Sequence, residues 1–288
     1  MSKVYQLGPR WKGFSTLRYL VIFGDSYSDL GFNYALDHPS PSQPLGIPFP
    51  GMTFNPPDPN WVGHLITKYC PEPRFDLSAG DDNQDPAYVE SALLVYDFAI
   101  GGHTVDGVRL QVSNYFLPKL GTKPPWAPWN AEDTLFITWV GINDCGRFAD
   151  PSSTLQKLFS SQEHLIKAGA RNFLFIDVPP VYRCPAFTPT DESQAAKRYL
   201  DWNNSFYDAI EKFCATNEEL SVFLFSSFWL FQQFLNHPSD FDIDPREVRK
   251  VGGDVWVDHL HPTSKVHDII ASGISSFLNQ IAPDTPSS

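Results

Sequence analysis

Short apolar runs alternate along the chain with longer segments in which apolar residues recur at helical spacing. The runs are rich in β-branched and aromatic residues and are apolar nearly throughout, which is typical of strands buried on both faces of a parallel sheet. Five such runs predict five strands, at residues 17–23, 93–100, 134–140, 172–178 and 221–225.

The segments between these runs carry helix signals. Asp150 followed by Pro151 is typical of a helix N-terminus, and the helix is predicted to end at Gly169. A second, long helix is predicted to begin at Thr190, and apolar positions at helical spacing after Pro262 predict a third. The alternation of strands and helices predicts a three-layer α/β/α sandwich.

No break in composition marks a linker, so we expect residues 1–288 to form a single domain, with a core at 17–281 and a short N-terminal extension at 1–16. Two segments interrupt the alternation: residues 38–59 contain eight prolines, and residues 78–86 are polar and acidic. Long irregular connections in a compact domain often serve a function, and an inert surface loop is the equally open alternative.

The composition excludes several classes of protein. Hydrophobic residues make up 42% of the chain and aromatic residues 15%, which is too apolar for a disordered protein. Lys and Arg number 21 against 33 Asp and Glu, a net charge of −12, whereas a nucleic-acid-binding protein needs a basic surface. No apolar stretch approaches the about 18 residues of a membrane-spanning helix. We therefore expect a monomer that acts on a small molecule, without nucleic acid and without a membrane span.

The N-terminus and the cysteines bear on the compartment. Residues 1–10 lack the apolar segment of a secretory signal, which favours a cytoplasmic protein; a removed leader would instead indicate secretion. The cysteines show no CxxC pair and no local His/Cys cluster, so no zinc site is predicted. Free thiols and two disulfides are both compatible with their spacing. The cysteines are Cys70, Cys145, Cys184 and Cys214.

A serine directly follows the first predicted strand. Ser26 lies in the sequence Gly-Asp-Ser-Tyr-Ser-Asp at residues 24–29, at the position where open α/β sheets place their active sites. Gly-Asp-Ser alone is a common turn sequence, so this motif needs support from elsewhere in the chain.

That support comes from three later segments. In the sequence Asp-His-Leu-His-Pro, Asp258 precedes His261 by three residues, so one turn can bring its carboxylate to Nδ1 and leave Nε2 free as a general base. A serine hydroxyl is a weak nucleophile without such a base. Glycine-containing loops at 101–104 and 141–144 follow predicted strands and can supply oxyanion donors, either backbone N–H groups or the Asn143 amide.

Segments 24–29, 101–104, 141–144 and 258–262 together resemble the four sequence blocks of the SGNH or GDSL hydrolases. The resemblance implies a serine esterase that needs no metal or organic cofactor. It also implies a five-stranded parallel sheet of flavodoxin-like type between two layers of helices, in agreement with the five apolar runs.

The resemblance assigns a role to each matching residue. Ser26 would be the nucleophile and would also donate its backbone N–H to the oxyanion. Gly102 would provide a second backbone donor, and Asn143 a side-chain donor. His261 would be the general base, oriented by Asp258.

Within the family, residues 11–26 and 53–62 resemble fungal secreted esterases of the acetylesterase type. Those relatives typically remove acetyl groups from carbohydrates, which implies a short-chain, acetyl ester of a carbohydrate or small molecule as substrate. The chain departs from the family pattern at Asp97, where asparagine is usual, and at His103, where a small residue is usual.

Four side chains are candidate substrate contacts. Asp25 precedes the candidate nucleophile, and Asn55 belongs to the segment shared with the fungal esterases. Trp126 and Trp129 lie in a proline-rich loop at 123–129, where they can stack on a sugar ring or line an acyl pocket. For this pair, packing against the core is the alternative.

Other functions use the same residues or the same fold. An acyltransferase, a lipase or a lysophospholipase would employ the same site, and a binding module without activity is an alternative of a different class. A metal-dependent phosphoesterase would use the Gly-Asp-x-x-x-Asp, Asn-Asp and His-x-His sets. No Asp-x-His precedes these sets and no Gly-Asn-His follows them, so a two-metal cage would lack ligands.

Overall fold

A single sheet forms the centre of the computed structural model, which describes residues 1–35, 38–80 and 84–283. Its six strands are β1 (Lys3–Gln6), β2 (Tyr19–Gly24), β3 (Leu94–Asp97), β4 (Thr134–Trp139), β5 (Asn172–Ile176) and β6 (Ser221–Phe225). Their order is β1-β6-β5-β4-β2-β3. Strands β2 to β6 are parallel, as predicted, and each falls within or next to one of the five apolar runs. Strand β1 is antiparallel to β6, so the prediction of five strands was wrong by one.

Strand β1 lies at the sheet edge, which explains why no apolar run predicts it. Its residues are exposed or only partly buried, and a strand that buries little apolar surface needs no apolar run. The Gln6 amide donates to two backbone carbonyls of the turn before β6, and the buried Trp11 indole donates to the Ile281 carbonyl at 3.1 Å. Residues 1–16, predicted to be an extension outside the core, therefore contribute an edge strand and a core side chain.

Within the described residues there are eight α-helices, six of which lie between strands and two of which follow β6. They are α1 (Trp61–His64), α2 (Pro86–Ser91), α3 (Val105–Leu110), α4 (Ile142–Gly146), α5 (Pro151–Ala168), α6 (Pro189–Thr216), α7 (Ser227–Asn236) and α8 (Ser264–Asn279). Helices α1 and α3 each continue into a π-helical segment, over Leu65–Tyr69 and Gln111–Phe116. The three predicted helices correspond to α5, α6 and α8, and α5 has Asp150 as its N-cap and Gly169 as its C-cap, as predicted.

The helices cover both faces of the sheet. Side chains of β4 alternate between the faces: Trp139 contacts Trp61 of α1 with ring centroids 6.4 Å apart, whereas Phe136 contacts Phe116 on the opposite face at 5.6 Å. Every residue of β4, β5 and β6 is buried, as expected for central strands covered on both sides. The predicted three-layer α/β/α sandwich is therefore confirmed.

The sheet topology places one crevice at the carboxyl ends of the strands. Strand β2 pairs with β3 on one side and with β4 on the other. The chain therefore adds β3 to one side of β2 and the later strands to the other side, which makes β2 the point where the strand order reverses. Ligands of open α/β sheets bind at such a switch point. Ser26 lies two residues after the end of β2 and Asn143 four residues after the end of β4, so both lie at this crevice.

Candidate active site

Three of the predicted residues form a continuous hydrogen-bonded chain. The Ser26 Oγ lies 3.0 Å from His261 Nε2, and His261 Nδ1 lies 2.8 Å from Asp258 Oδ2. The second carboxylate oxygen of Asp258 accepts the backbone N–H groups of Leu260 and His261, each at 2.7 Å. Because the carboxylate accepts from Nδ1, the neutral imidazole presents Nε2 as an acceptor to the serine hydroxyl.

The charge state of Asp258 follows from its surroundings. Partial burial acts to raise its pKa, but hydrogen bonds from the backbone and ring of His261 and from the Leu260 N–H outweigh it, and the net pKa is lowered. The group is therefore an anion at neutral pH, which suits a carboxylate that orients a histidine.

The loop that carries His261 is closed on itself and attached to the nucleophile segment. The Val257 N–H donates to the His261 carbonyl at 2.9 Å, and the Thr263 N–H donates to the Val255 carbonyl at 2.9 Å. The Tyr27 hydroxyl donates to the Leu260 carbonyl at 2.8 Å. The residue after Ser26 thus ties the two halves of the site together across a large sequence separation.

The candidate oxyanion donors are the backbone N–H groups of Ser26 and Gly102 and the side-chain amide of Asn143. Gly102 has φ +76°, a left-handed conformation that favours glycine, and no atom lies within 4 Å of the position that a Cβ would occupy. Neither the Ser26 N–H nor the Gly102 N–H donates to any other residue in the described part of the chain. The Asn143 amide donates to the His103 carbonyl at 3.0 Å and to the Asp25 carboxyl at 3.3 Å.

Two side chains that the sequence analysis did not single out hold the glycine loop. The carboxylate of Asp29 accepts the N–H of Gly101 and the N–H of Gly31, both at 2.7 Å. The Arg147 guanidinium donates to the Gly102 carbonyl at 3.0 Å. Asp29 is the last residue of the segment 24–29, so its place in that motif could have indicated a role in the site. Nothing in the sequence pattern pointed to Arg147.

The side chain of Asp25, the residue before the candidate nucleophile, is not accessible to a substrate. It is buried, and the Tyr27 N–H donates to it at 3.2 Å. Burial raises the pKa of Asp25 to about 7. The expectation that Asp25 contacts substrate is therefore not met by this structure, since its carboxyl bonds to the Asn143 amide in the protein interior.

The two departures from the family pattern have distinct surroundings. The Gln111 side chain accepts the N–H of Gly24 and donates to the Gly24 carbonyl, which fixes the orientation of its amide. The amide nitrogen also donates to His103 Nδ1 at 3.0 Å, so Nδ1 is an acceptor and His103 carries its proton on Nε2. Burial lowers the pKa of His103. Asp97 is fully buried and accepts the Ala99 N–H at 3.0 Å, and burial raises its pKa well above the ordinary value.

The structure separates the remaining candidate contacts. Trp129 is 1% exposed, donates its indole N–H to the Leu120 carbonyl and packs in the core, so it cannot contact a ligand there. Trp126 is 41% exposed, but the His38 ring covers one of its faces at a centroid distance of 3.6 Å. Asn55 is partly exposed in the segment whose neighbouring residue, Phe54, stacks on His261.

A sequence model of the GDSL-like lipase/acylhydrolase family matches residues 20–274. The chain belongs to this family. An acetylesterase from Thermothelomyces thermophilus is 28% identical over 284 residues, which cover 90% of this chain and 87% of that protein. Membership of the GDSL family and this relative confirm that the protein is a carboxylic ester hydrolase.

Solved structures with the same fold include members of this enzyme class. A single-substitution variant of Axe2, an acetyl xylan esterase from Geobacillus stearothermophilus, superimposes with a TM-score of 0.56 at 13% identity, covering 92% of this chain and 99% of that chain. LAE5, an alpha/beta hydrolase from the metagenome of Lake Arreo, gives a TM-score of 0.55 at 15% identity, covering 97% of this chain and 100% of that chain. At these identities the likeness supports the fold alone. Among the described helices of this GDSL protein, none has the length and apolar character needed to span a membrane.

Proposed function

We propose that this GDSL hydrolase cleaves short-chain esters, acetyl esters in particular, of carbohydrates or small molecules through an acyl-enzyme on Ser26. The observation that carries the proposal is the hydrogen-bonded chain from Asp258 through His261 to the Ser26 hydroxyl. The acetylesterase relative supports acetyl as the acyl group. The resemblance of residues 11–26 and 53–62 to fungal acetylesterases supports a carbohydrate as the alcohol.

Acylation uses each of these groups in turn. His261 Nε2 takes the proton of the Ser26 hydroxyl as Oγ forms a bond to the ester carbonyl carbon. The negative charge that develops on the carbonyl oxygen is stabilised by the N–H groups of Ser26 and Gly102 and by the Asn143 amide, which exchanges its longer hydrogen bond, the one to Asp25, for one to the oxyanion. The imidazolium then gives its proton to the leaving alcohol as the ester C–O bond breaks, and Asp258 stabilises the positive charge in between.

Deacylation repeats the sequence with water. His261 removes a proton from a water molecule that attacks the acyl carbon, and the Ser26 oxygen leaves with the proton returned by His261. Transfer to a second alcohol uses the same groups. Product analysis with a competing alcohol therefore distinguishes hydrolysis from acyl transfer.

A fluorophosphonate probe tests the nucleophile. We expect the probe to label the protein, and Ser26→Ala to abolish both the labelling and the hydrolysis of p-nitrophenyl acetate. Hydrolysis that continues unchanged in Ser26→Ala would refute the assignment. A series of p-nitrophenyl esters of increasing acyl length tests the substrate, and an optimum at long chains would contradict the short-chain proposal.

The molecule offers a matched control for the serine. Ser264 Oγ lies 2.8 Å from His64 Nε2, and His64 Nδ1 lies 3.0 Å from Asp268, so the same three residue types meet a second time. However, the Ser264 hydroxyl donates to the Pro59 carbonyl at 2.7 Å and its proton is therefore not directed at His64. We expect Ser264→Ala to retain probe labelling, so that only the Ser26 group behaves as a nucleophile.

A further inference from the structure

The phenyl ring of Phe54 lies directly on the candidate general base. Its centroid is 4.5 Å from that of His261, and the two planes are inclined by 23°. The tip of the ring abuts the glycine loop, because a Cβ added to Gly101 would lie 2.5 Å from Phe54 Cζ. The ring thus spans the site from the base to the glycine loop, and Phe54 remains 40% exposed.

A second exposed apolar side chain lies near this ring. Met52 is 74% exposed, and its Cε would lie 2.8 Å from a Cβ added to Gly31. The N–H groups of Gly31 and Gly101 are both held by the Asp29 carboxylate, so the glycines under Met52 and Phe54 are neighbours. We call Met52 and Phe54 the apolar platform.

Hydrogen bonds fix the segment that carries the platform. The Met52 N–H donates to the Leu30 carbonyl at 2.8 Å, and the Thr53 hydroxyl donates to the Asp58 carbonyl at 2.8 Å. At the end of the segment the Asn60 amide donates to the Ser28 carbonyl at 2.9 Å. The platform is therefore anchored to the nucleophile segment and keeps its place beside His261.

The chemistry of the reaction defines which part of the substrate meets this ring. The carbonyl oxygen must face Gly102 and Asn143, and the leaving oxygen must come within hydrogen-bond reach of His261 Nε2 to receive its proton. The alcohol portion consequently lies on the histidine side of the site, next to the ring that stacks on the imidazole.

We propose that the apolar platform, chiefly Phe54, binds the leaving alcohol and selects alcohols that present a broad C–H face, such as a pyranose or cyclohexyl ring, over small alcohols. This inference rests on the proposed ester hydrolysis through Ser26. An exposed aromatic ring and a methionine offer apolar surface to such a face, whereas an ethyl group covers little of it.

Two acetyl esters with different alcohols test the inference. In Phe54→Ala, we expect kcat/KM for cyclohexyl acetate to fall by about three- to tenfold, the range for loss of one aromatic contact, and kcat/KM for ethyl acetate to change by less than about twofold. Phe54→Trp keeps an aromatic face and should retain the parent's preference for the cyclohexyl ester. Because the acyl group is common to both esters, the ratio isolates the alcohol.

Phe148 provides the matched control. It is 75% exposed and follows the Asn143 segment, but its ring packs on the Arg198 guanidinium at 3.8 Å and lies outside the platform. Phe148→Ala should leave the ratio of kcat/KM for the two esters unchanged.

An equal loss of kcat/KM for both esters in Phe54→Ala would overturn the inference and assign the ring to holding His261 alone. Phe54→Ala should also leave the acyl-length preference on the p-nitrophenyl ester series unchanged, and an altered preference there would overturn the inference as well. Failure of the proposed function itself is distinct, because the unsubstituted enzyme would then hydrolyse neither ester.

Discussion

At the scale of single residues, Asp25 has the least usual environment in the site. It immediately precedes Ser26 in the chain, and its carboxyl is withdrawn from solvent. Burial raises its pKa to about 7, while hydrogen bonds from the Tyr27 N–H and the Asn143 amide act in the opposite direction. The same bond to Asn143 orients an amide that we propose as an oxyanion donor, so Asp25 affects both the geometry and the electrostatics of the site.

This environment makes the stability of the protein depend on pH in a defined way. The pKa of Asp25 is raised from 3.8 to about 7, so the folded protein binds this proton more tightly than the unfolded chain does. Between those values the stability contributed by Asp25 falls as pH rises, by about 1.4 kcal/mol per unit. An asparagine amide at this position would not titrate. The free energy of unfolding of Asp25→Asn, relative to the parent, should therefore shift in favour of the variant as pH rises from about 4 to 7.

Urea denaturation at several pH values measures this shift. A pH-independent difference in the free energy of unfolding between the two proteins does not affect the result, because only the change of that difference with pH is compared. Asp258→Asn supplies the contrast, because the pKa of Asp258 is lowered and its contribution is lost only as pH falls below the unfolded value of 3.8. A difference between Asp25→Asn and the parent that stays constant over this range would contradict the raised pKa.

At the scale of secondary-structure elements, the N-terminal segment is part of the folded core. Strand β1 closes one edge of the sheet, and Trp11 packs edge-on against Phe223 of β6 with ring centroids 4.8 Å apart. The Trp11 side chain is fully buried. Its indole also bonds to the chain just after α8, so the segment joins the two ends of the molecule.

Truncation of Trp11 should therefore cost as much as truncation of a central core residue. We expect Trp11→Ala to lower the free energy of unfolding by about 3–5 kcal/mol, because the variant loses the burial of the indole and leaves a cavity in the core. Leu7→Ala, four residues earlier and 38% exposed, should change it by less than about 1 kcal/mol. Denaturant titration followed by tryptophan fluorescence compares the three proteins. Parent-like stability of Trp11→Ala would show that the segment does not contribute to the core.

The elements that the sequence predicted share one property, which is that their signal is local. The central strands are buried on both faces and read as apolar runs, and α5 carries an N-cap, a proline and a C-terminal glycine at its ends. Strand β1 has no such signal, because an edge strand is defined by its partner. Helix α7 was also missed, since its apolar residues follow β6 with almost no polar break.

The site shows the same division. Ser26, Asp258 and His261 were predicted because their residue types form recognisable blocks. The hydrogen bond of Arg147 to Gly102 and the stacking of Phe54 on His261 join residues far apart in the chain, and neither residue has a spacing that indicates its partner. Side chains that hold or flank the reacting groups therefore required the three-dimensional structure.

At the scale of the whole molecule, the excess of 33 acidic over 21 basic residues raises the question of whether carboxylates at the crevice bind a cation. Besides Asp258, four carboxyl groups lie near the site, and each accepts at least one backbone N–H: Asp25 from Tyr27, Asp29 from Gly31 and Gly101, Asp97 from Ala99, and Asp144 from Val105. Carboxylates that accept N–H groups orient loops, whereas metal ligands direct their oxygens at one shared point. In the ranges that the structure describes, no three His, Cys, Asp or Glu side chains converge in that manner.

A chelator experiment separates the esterase from the metal-dependent phosphoesterase, the alternative with the most similar residue sets. In the proposed mechanism His261 is the base for Ser26 and N–H groups stabilise the oxyanion, so this mechanism requires no Lewis acid. We expect dialysis against a strong chelator to leave p-nitrophenyl acetate hydrolysis and fluorophosphonate labelling unchanged, with bis-p-nitrophenyl phosphate uncleaved before and after treatment. A zinc-dependent phosphodiesterase treated in parallel verifies that the chelator removes metal. Loss of ester hydrolysis that is restored by a divalent cation would show that the acidic groups around the crevice act as ligands and that the serine mechanism is incomplete.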